Sequence, residues 1–323
     1  MTDRPRIWCL HRLPRTVEAR LEAEFDVEWN RDDGAIADDE LVSRAGEFDG
    51  LLTTVTDPVP AAVFRAAGRR VRIVANFGVG VDRIDLAAAR SAGVVVTNTP
   101  GVLTDCTADL TLALILMTLR RLGEGERLLR RGQWTGWRPT HHLGRRVSGR
   151  TLGIIGMGRI GQAVAARARH GFNMSILYAS RTPLAPEVAA RLGAVRCEVD
   201  QLLERAEIVS LHLPATDDTV GILDARRLGL MQPEAVLINT ARGNLVDEQA
   251  LAAALASRRL SAAGLDVFVH EPDVPPALLE LDNVVLLPHL GSATEETRTA
   301  MGMMAVDNLE AFFGGRAPPH RVV

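Results

Sequence analysis

Short runs of β-branched and leucine-rich residues alternate along this chain with stretches in which alanine, arginine and leucine recur at helical spacing. The runs at 6–9, 50–54, 73–75 and 94–97 read as strands. After a long helical stretch come 151–155, 175–178, 208–213, 235–239, 263–268 and 284–287. Helical periodicity fills 16–24, 160–170, 200–205 and 248–257. Strands that are apolar throughout and alternate with helices build a parallel sheet covered on both faces, so the predicted class is α/β, doubly wound. Two longer helical segments, 105–121 and 295–313, flank the central βα block. They predict a split domain, residues 1–102 with 291–323, around a dinucleotide-binding domain at 103–290. The longest apolar run, 110–119, is about half of the ~20 residues that span a bilayer and reads as a buried helix.

Composition narrows the function more than the fold. At ~150 residues per domain, 323 residues make two domains. With 47% apolar and 24% charged residues the chain is globular, and a net charge of −3 without any block of like charge argues against nucleic-acid and membrane partners. The opening Met-Thr-Asp-Arg-Pro-Arg leads into a mixed segment, which argues against a secretory leader. Cys9, Cys106 and Cys197 lie far apart and form neither a disulfide framework nor a CxxC pair, so the expected compartment is the cytoplasm. All 37 basic residues are arginine, which excludes a lysine Schiff base and a phosphate-loop lysine. His141-His142 lacks neighbouring ligands, so no metal is expected. The pairs Arg120-Arg121 and Arg258-Arg259 read as solvated helix faces, and Met301, Met303 and Met304 as packing.

The chemistry begins at Thr151-Leu-Gly-Ile-Ile-Gly156-Met-Gly158-Arg-Ile-Gly161, a G-x-G-x-x-G between a predicted strand and a predicted helix. Gly156 permits the tight turn, Gly158 lets the backbone reach a pyrophosphate, and Gly161 lets the helix pack on the strand. The helix N-terminus then offers free N–H groups to the anion. The next strand tests which dinucleotide binds. Ile176-Leu-Tyr-Ala179-Ser180-Arg181-Thr182 has Ala179 where an NAD site usually carries an acid for the ribose hydroxyl. Without that carboxylate, and with Arg181 able to fork onto a 2′-phosphate, NADP(H) is favoured over NAD(H), which an acid-free site still admits.

Arg242, Glu271 and His289 each come just after a predicted strand. Parallel strands would place all three on one sheet edge, where ligands of open α/β sheets bind. Reduction of a 2-oxo acid needs such a set. Arginine clamps the carboxylate, histidine donates a proton to the carbonyl oxygen, and a neighbouring carboxylate favours the imidazolium.

These residues belong to a longer series: Asn76-Phe-Gly78-Val79-Gly80-Val-Asp82, Val102-Leu-Thr104-Asp-Cys-Thr-Ala-Asp109, the Gly156 turn, Leu211-His-Leu-Pro214, Ile238-Asn-Thr-Ala-Arg242-Gly243, Gly264-Leu-Asp266-Val-Phe, Glu271-Pro272 and Leu287-Pro-His289-Leu-Gly-Ser-Ala-Thr294. In that order, over nearly the whole length, the chain resembles the D-isomer-specific 2-hydroxyacid dehydrogenases, and within them the glyoxylate/hydroxypyruvate reductases. The resemblance implies two Rossmann-like α/β domains with the active site in the cleft between them, and a homodimer. It implies reduction of glyoxylate or hydroxypyruvate to the D-2-hydroxy acid. Arg242 would hold the substrate carboxylate, His289 would be the acid/base and Glu271 would tune it. The Val79 and Gly80 backbone and Ser292 would also bind substrate. Asp266, Thr240 and Ala241 would hold the nicotinamide end of the cofactor. Thr104, Arg159, Ile160, Thr182, Leu213, Pro214, Thr219, His289 and Gly291 would join the glycine turn, Ser180 and Arg181 in the remaining cofactor contacts. Trp137, in Gln133-Trp134-Thr-Gly-Trp137, stands where the reductase branch has a tryptophan that reaches the neighbouring subunit's site and filters substrate size. Read from the residues alone, the tryptophan pair is equally an ordinary packed helix end.

Within the family, formate dehydrogenases carry a glutamine where Glu271 stands, and phosphite dehydrogenases use a lysine that this chain lacks. Phosphoglycerate dehydrogenases often append a regulatory domain, for which the few residues past 313 leave no room. Another 2-oxo acid such as pyruvate stays open. So does a non-catalytic dinucleotide-sensing co-regulator, which the same fold also serves.

Overall fold

The computed structural model describes residues 4–323. Its chain divides into two compact units: residues up to Leu103 together with Ala293–Val323, and Thr104–Ser292. Among the described residues each unit is built on one parallel sheet.

In the first unit the strands are β1 (Arg6–Cys9), β2 (Asp26–Trp29), β3 (Gly50–Thr54), β4 (Ile73–Phe77) and β5 (Val95–Thr97), in the order β2-β1-β3-β4-β5. Strand β4 is buried at every position, as a central strand covered on both faces must be. Helix Glu295–Phe313 packs on β4 and on helix Arg15–Glu24. Residues beyond it pair with β5: Val322 donates to the Val96 carbonyl at 2.7 Å and the Asn98 N–H to the His320 carbonyl at 3.1 Å.

The second unit holds β6 (Thr151–Ile155), β7 (Ser175–Ala179), β8 (Ala194–Arg196), β9 (Ile208–Leu211), β10 (Val236–Asn239), β11 (Ala262–Leu265) and β12 (Val284–Leu286), in the order β12-β11-β10-β9-β6-β7-β8. Apolar clusters fill both faces of this sheet. The long apolar run lies in helix Thr104–Leu119, whose Leu114 and Ile115 are fully buried.

Several elements differ from the sequence expectation. Strands β2 and β8 were not anticipated, because both are short edge strands in which polar residues are tolerated. The expected strands 208–213 and 263–268 end at Leu211 and Leu265. Arg121 and Arg258 do not lie on helix faces: each adopts a left-handed conformation at a helix end, with φ of 54° and 57°. The tryptophan pair is not a packed helix end either. The preceding helix stops at Arg130, and Trp134 and Trp137 are 52% and 80% exposed.

A histidine bridge just beyond β1 and β3 in the first unit has a pH consequence. His11 Nδ1 and Nε2 each lie 2.9 Å from a carboxylate, that of Asp33 and that of Asp57. Asp57 also accepts from the Thr54 N–H at 2.7 Å and hydroxyl at 2.9 Å. The hydrogen bond to Asp57, aided by both negative charges, outweighs burial and raises the imidazole from 6.5 to about 9. A value raised by folding means that the protonated ring stabilises the fold. That contribution is whole below about pH 6.5, fades as pH rises and is gone above about 9. The thermal midpoint is expected to fall more steeply across this window in the native protein than in His11→Gln. Parallel curves for the two would refute the bridge.

Candidate active site

Strand β6 is followed by Gly156, where φ is +99° and a Cβ would lie 2.5 Å from the His212 carbonyl. Only glycine fits there. The crowding arises because β6 is sewn between its neighbours: Gly156 N–H donates to Ala179 O at 2.9 Å and His212 N–H to Ile155 O at 2.8 Å. Burial pushes the His212 ring down to about 3, and its Nε2 lies 2.8 Å from Ser210 Oγ. A Cβ on Gly161 would lie 2.2 Å from the Gly156 carbonyl oxygen, so helix Arg159–Phe172 starts tight against the strand. Gly158, its N-cap residue, faces open space. The sheet order reverses between β6 and β9, and ligands of doubly wound sheets bind at such a switch point. A turn with room at Gly158, opening a 14-residue helix, fits a pyrophosphate.

Arg159 and Ile160 open that helix. Ser180, Arg181 and Thr182 follow the end of β7, and Arg196 of β8 donates to the Ser180 and Arg181 carbonyls at 3.0 and 3.4 Å. Leu213 and Pro214 follow β9, where Thr219 Oγ1 closes the loop onto the Pro214 carbonyl at 2.7 Å.

Arg242, Glu271 and His289 follow β10, β11 and β12, three adjacent parallel strands. His289 Nδ1 lies 2.7 Å from Glu271 Oε2, and Glu271 Oε1 accepts the Phe268 N–H at 3.0 Å. Burial opposes the charge on Glu271. The His289 hydrogen bond and charge, the Phe268 N–H and Arg242 outweigh it and hold the carboxyl below its usual range. His289 itself sits in the left-handed region at φ 53°, a conformation that its surroundings must impose. Asp266 imposes it. Its carbonyl accepts the His289 N–H at 2.9 Å, and its carboxylate accepts the Leu290 and Gly291 N–H groups at 2.7 and 2.9 Å. Asp266 is 0% exposed, and burial keeps its carboxyl above the usual range despite those two donors.

Side chains that the sequence reading did not single out hold the remaining loops. Asn239 accepts the Ala241 N–H at 3.0 Å and donates to the Arg242 carbonyl at 2.8 Å, shaping the turn that carries Arg242. Helix Thr104–Leu119 touches two further loops: Thr111 Oγ1 lies 3.0 Å from Thr240 Oγ1, and Thr107 Oγ1 donates to the Gly291 carbonyl at 2.9 Å. Both threonines are buried, but the helix also carries Asp105, Asp109 and Thr118, so nothing in the sequence set these two apart. Ser292 follows Gly291, whereas Trp137 stands on the exposed segment after helix Leu122–Arg130. Val79 and Gly80 lie in the first unit, just past β4.

Known proteins resemble this chain over nearly its whole length. The profile of the D-isomer specific 2-hydroxyacid dehydrogenase NAD binding domain matches residues 112–291. The glyoxylate reductase of Thermococcus onnurineus is 44% identical over 320 residues, 98% of this chain and 95% of that protein. Among solved structures, a Thermus thermophilus protein superposes with a TM-score of 0.89 at 44% identity, covering 98% of this chain and all of that one. The NADPH-dependent glyoxylate/hydroxypyruvate reductase of Sinorhizobium meliloti, in complex with NADP and malonate, gives 0.86 at 38% identity, covering 99% and 97%. A G-x-G-x-x-G turn at the switch point, a His–Glu pair following β11 and β12 of the same sheet and likeness over the full length lead to one conclusion: the chain belongs to the D-isomer-specific 2-hydroxyacid dehydrogenases, NAD(P)-dependent oxidoreductases.

Proposed function

We propose that this protein reduces glyoxylate or hydroxypyruvate to the D-2-hydroxy acid with NADPH. The observation that carries the reading is the 2.7 Å His289–Glu271 pair, one strand away from Arg242 on the ligand edge of the seven-stranded sheet. Arg242 holds the substrate carboxylate through its planar fork, together with the Val79 and Gly80 N–H groups and Ser292. When bound, the dinucleotide supplies the hydride that reduces the carbonyl carbon. His289 delivers the proton that the carbonyl oxygen needs as its charge develops, and Glu271, 2.7 Å from its Nδ1, holds the ring in place for that transfer. In the reverse direction His289 takes the hydroxyl proton.

The glycine turn, Arg159 and Ile160 hold the pyrophosphate in this reading. Thr104, Leu213, Pro214, Thr219 and Gly291 flank the dinucleotide, and Thr240, Ala241 and Asp266 lie at its nicotinamide end. Ser180, Arg181 and Thr182 take the 2′-phosphate, a role supported by the absence of a carboxylate at Ala179. A second copy of the chain completes a homodimer, and Trp137 of one protomer limits substrate size at the other. The exposed Leu122, Leu129, Trp134 and Trp137 supply the apolar surface for it.

Initial rates with NADPH and NADH against glyoxylate, hydroxypyruvate and pyruvate test the whole reading. Fast NADPH oxidation with the first two is the expected result. Arg181→Ala should then raise the KM for NADPH about tenfold or more and leave that for NADH unchanged, since a charge-assisted hydrogen bond is lost with only one of them. Equal effects on both cofactors would remove Arg181 from the 2′-phosphate. No turnover with any acceptor would favour the co-regulator reading.

A further inference from the structure

The substrate turn of the first unit is built by a side chain to which neither family likeness nor spacing assigns a role. Asn76 is 1% exposed and belongs to β4. Its Nδ2 donates to the Gly78 carbonyl at 3.2 Å and to the Gly80 carbonyl at 2.9 Å, and its Oδ1 accepts from the Thr53 hydroxyl at 3.3 Å. The carbonyl between them, that of Val79, accepts from Asn98 Nδ2 at 2.9 Å, and the Gly78 carbonyl also takes the Thr99 N–H at 2.9 Å. Three consecutive carbonyls are therefore turned toward the protein.

A trans peptide places the carbonyl of one residue and the N–H of the next on opposite sides of the bond. Pinning the Gly78 and Val79 carbonyls thus points the Val79 and Gly80 N–H groups the other way, side by side, as a small anion-binding concavity. Gly78 makes the bend possible: its φ is +158°, and a Cβ there would lie 2.0 Å from Val55 Cγ1. We propose that Asn76 is a positioning residue for substrate binding, fixing the direction in which the Val79 and Gly80 N–H groups meet the substrate carboxylate. This rests on the reading that those two groups bind the carboxylate.

Asn76→Asp is the decisive variant. It keeps the size of the side chain and the oxygen that accepts from Thr53, and it removes both donated hydrogen bonds. The KM for glyoxylate and the inhibition constant for oxalate should rise together, about tenfold to a hundredfold, while the dissociation constant for NADPH stays unchanged. A purely structural role would instead weaken NADPH binding and lower the thermal midpoint together with the loss of substrate. Asn98→Ala, at a half-buried position that removes one donor to the same turn, gives a smaller rise in the same two constants and serves if the first variant does not fold. Val79→Pro deletes one of the receiving N–H groups directly. If it raises KM while Asn76→Asp and Asn98→Ala do not, the inference about Asn76 is wrong and the turn's role stands. If Val79→Pro also leaves KM unchanged, the reading of the turn itself falls.

Discussion

Replacing His289 with alanine is expected to lower kcat for 2-oxo acid reduction by about 10²–10⁴-fold, the usual contribution of a positioned proton donor. The loss should appear in kcat rather than in the KM for the oxo acid, because the proton is transferred only as negative charge develops on the carbonyl oxygen. The structure makes the effect specific to this ring. Asp266 and the left-handed backbone at 289 fix where the side chain leaves the loop, and Glu271 Oε2 at 2.7 Å fixes which nitrogen faces away from the protein. Glu271→Gln keeps the shape and removes the charge, so a smaller loss of about tenfold is expected. A His289→Ala enzyme that retained near-native kcat/KM would place the proton donor elsewhere.

Arg242→Ala should cost on the order of 10²–10³ in kcat/KM, within the range for truncating one member of a desolvated charge pair. Here the KM for the oxo acid should carry much of the change, with a further fall in kcat because an unclamped substrate misaligns its carbonyl. Arg242→Lys separates charge from geometry. A lysine supplies a point charge without the planar fork, so it should recover only a small part of the loss. The Asn239 contacts that shape residues 240–242 are independent of the residue at 242, since they involve its carbonyl and the Ala241 N–H. The turn should therefore survive either substitution, and oxalate inhibition reports the clamp directly. Full activity in Arg242→Lys would show that charge alone suffices.

What the sequence disclosed follows from how each element is stabilised. Central strands such as β4 and β9 are buried throughout and carry one polar residue each, Asn76 and Ser210, so their apolar character stays visible. Edge strands β2 and β8 carry Asp26, Glu28 and Arg196 among their residues and leave no such signature. Arg242, Glu271 and His289 were legible because strand ends in a parallel sheet share an edge. The side chains that shape the surrounding turns were not. Asn76, Asn239 and Thr111 are polar residues inside apolar stretches, and nothing in such a stretch says whether the partner is a neighbouring carbonyl or a distant loop. Trp134 and Trp137 misled in the opposite direction, since aromatic spacing resembles packing whether or not anything lies against the rings.

The split of the first unit also bears on the order in which the protein can be made. Domains of a growing chain generally fold from the N-terminal side as they emerge. Here the first hundred residues leave the ribosome without helix Glu295–Phe313, which covers β4, and without the segment that pairs with β5. Thr104–Ser292 is contiguous and holds all seven strands of its own sheet by the time Ser292 is added. Synthesis therefore completes the nucleotide-binding half first. During that interval β4 and β5 wait with apolar surface uncovered, the stretch of translation in which a chaperone has most to shield.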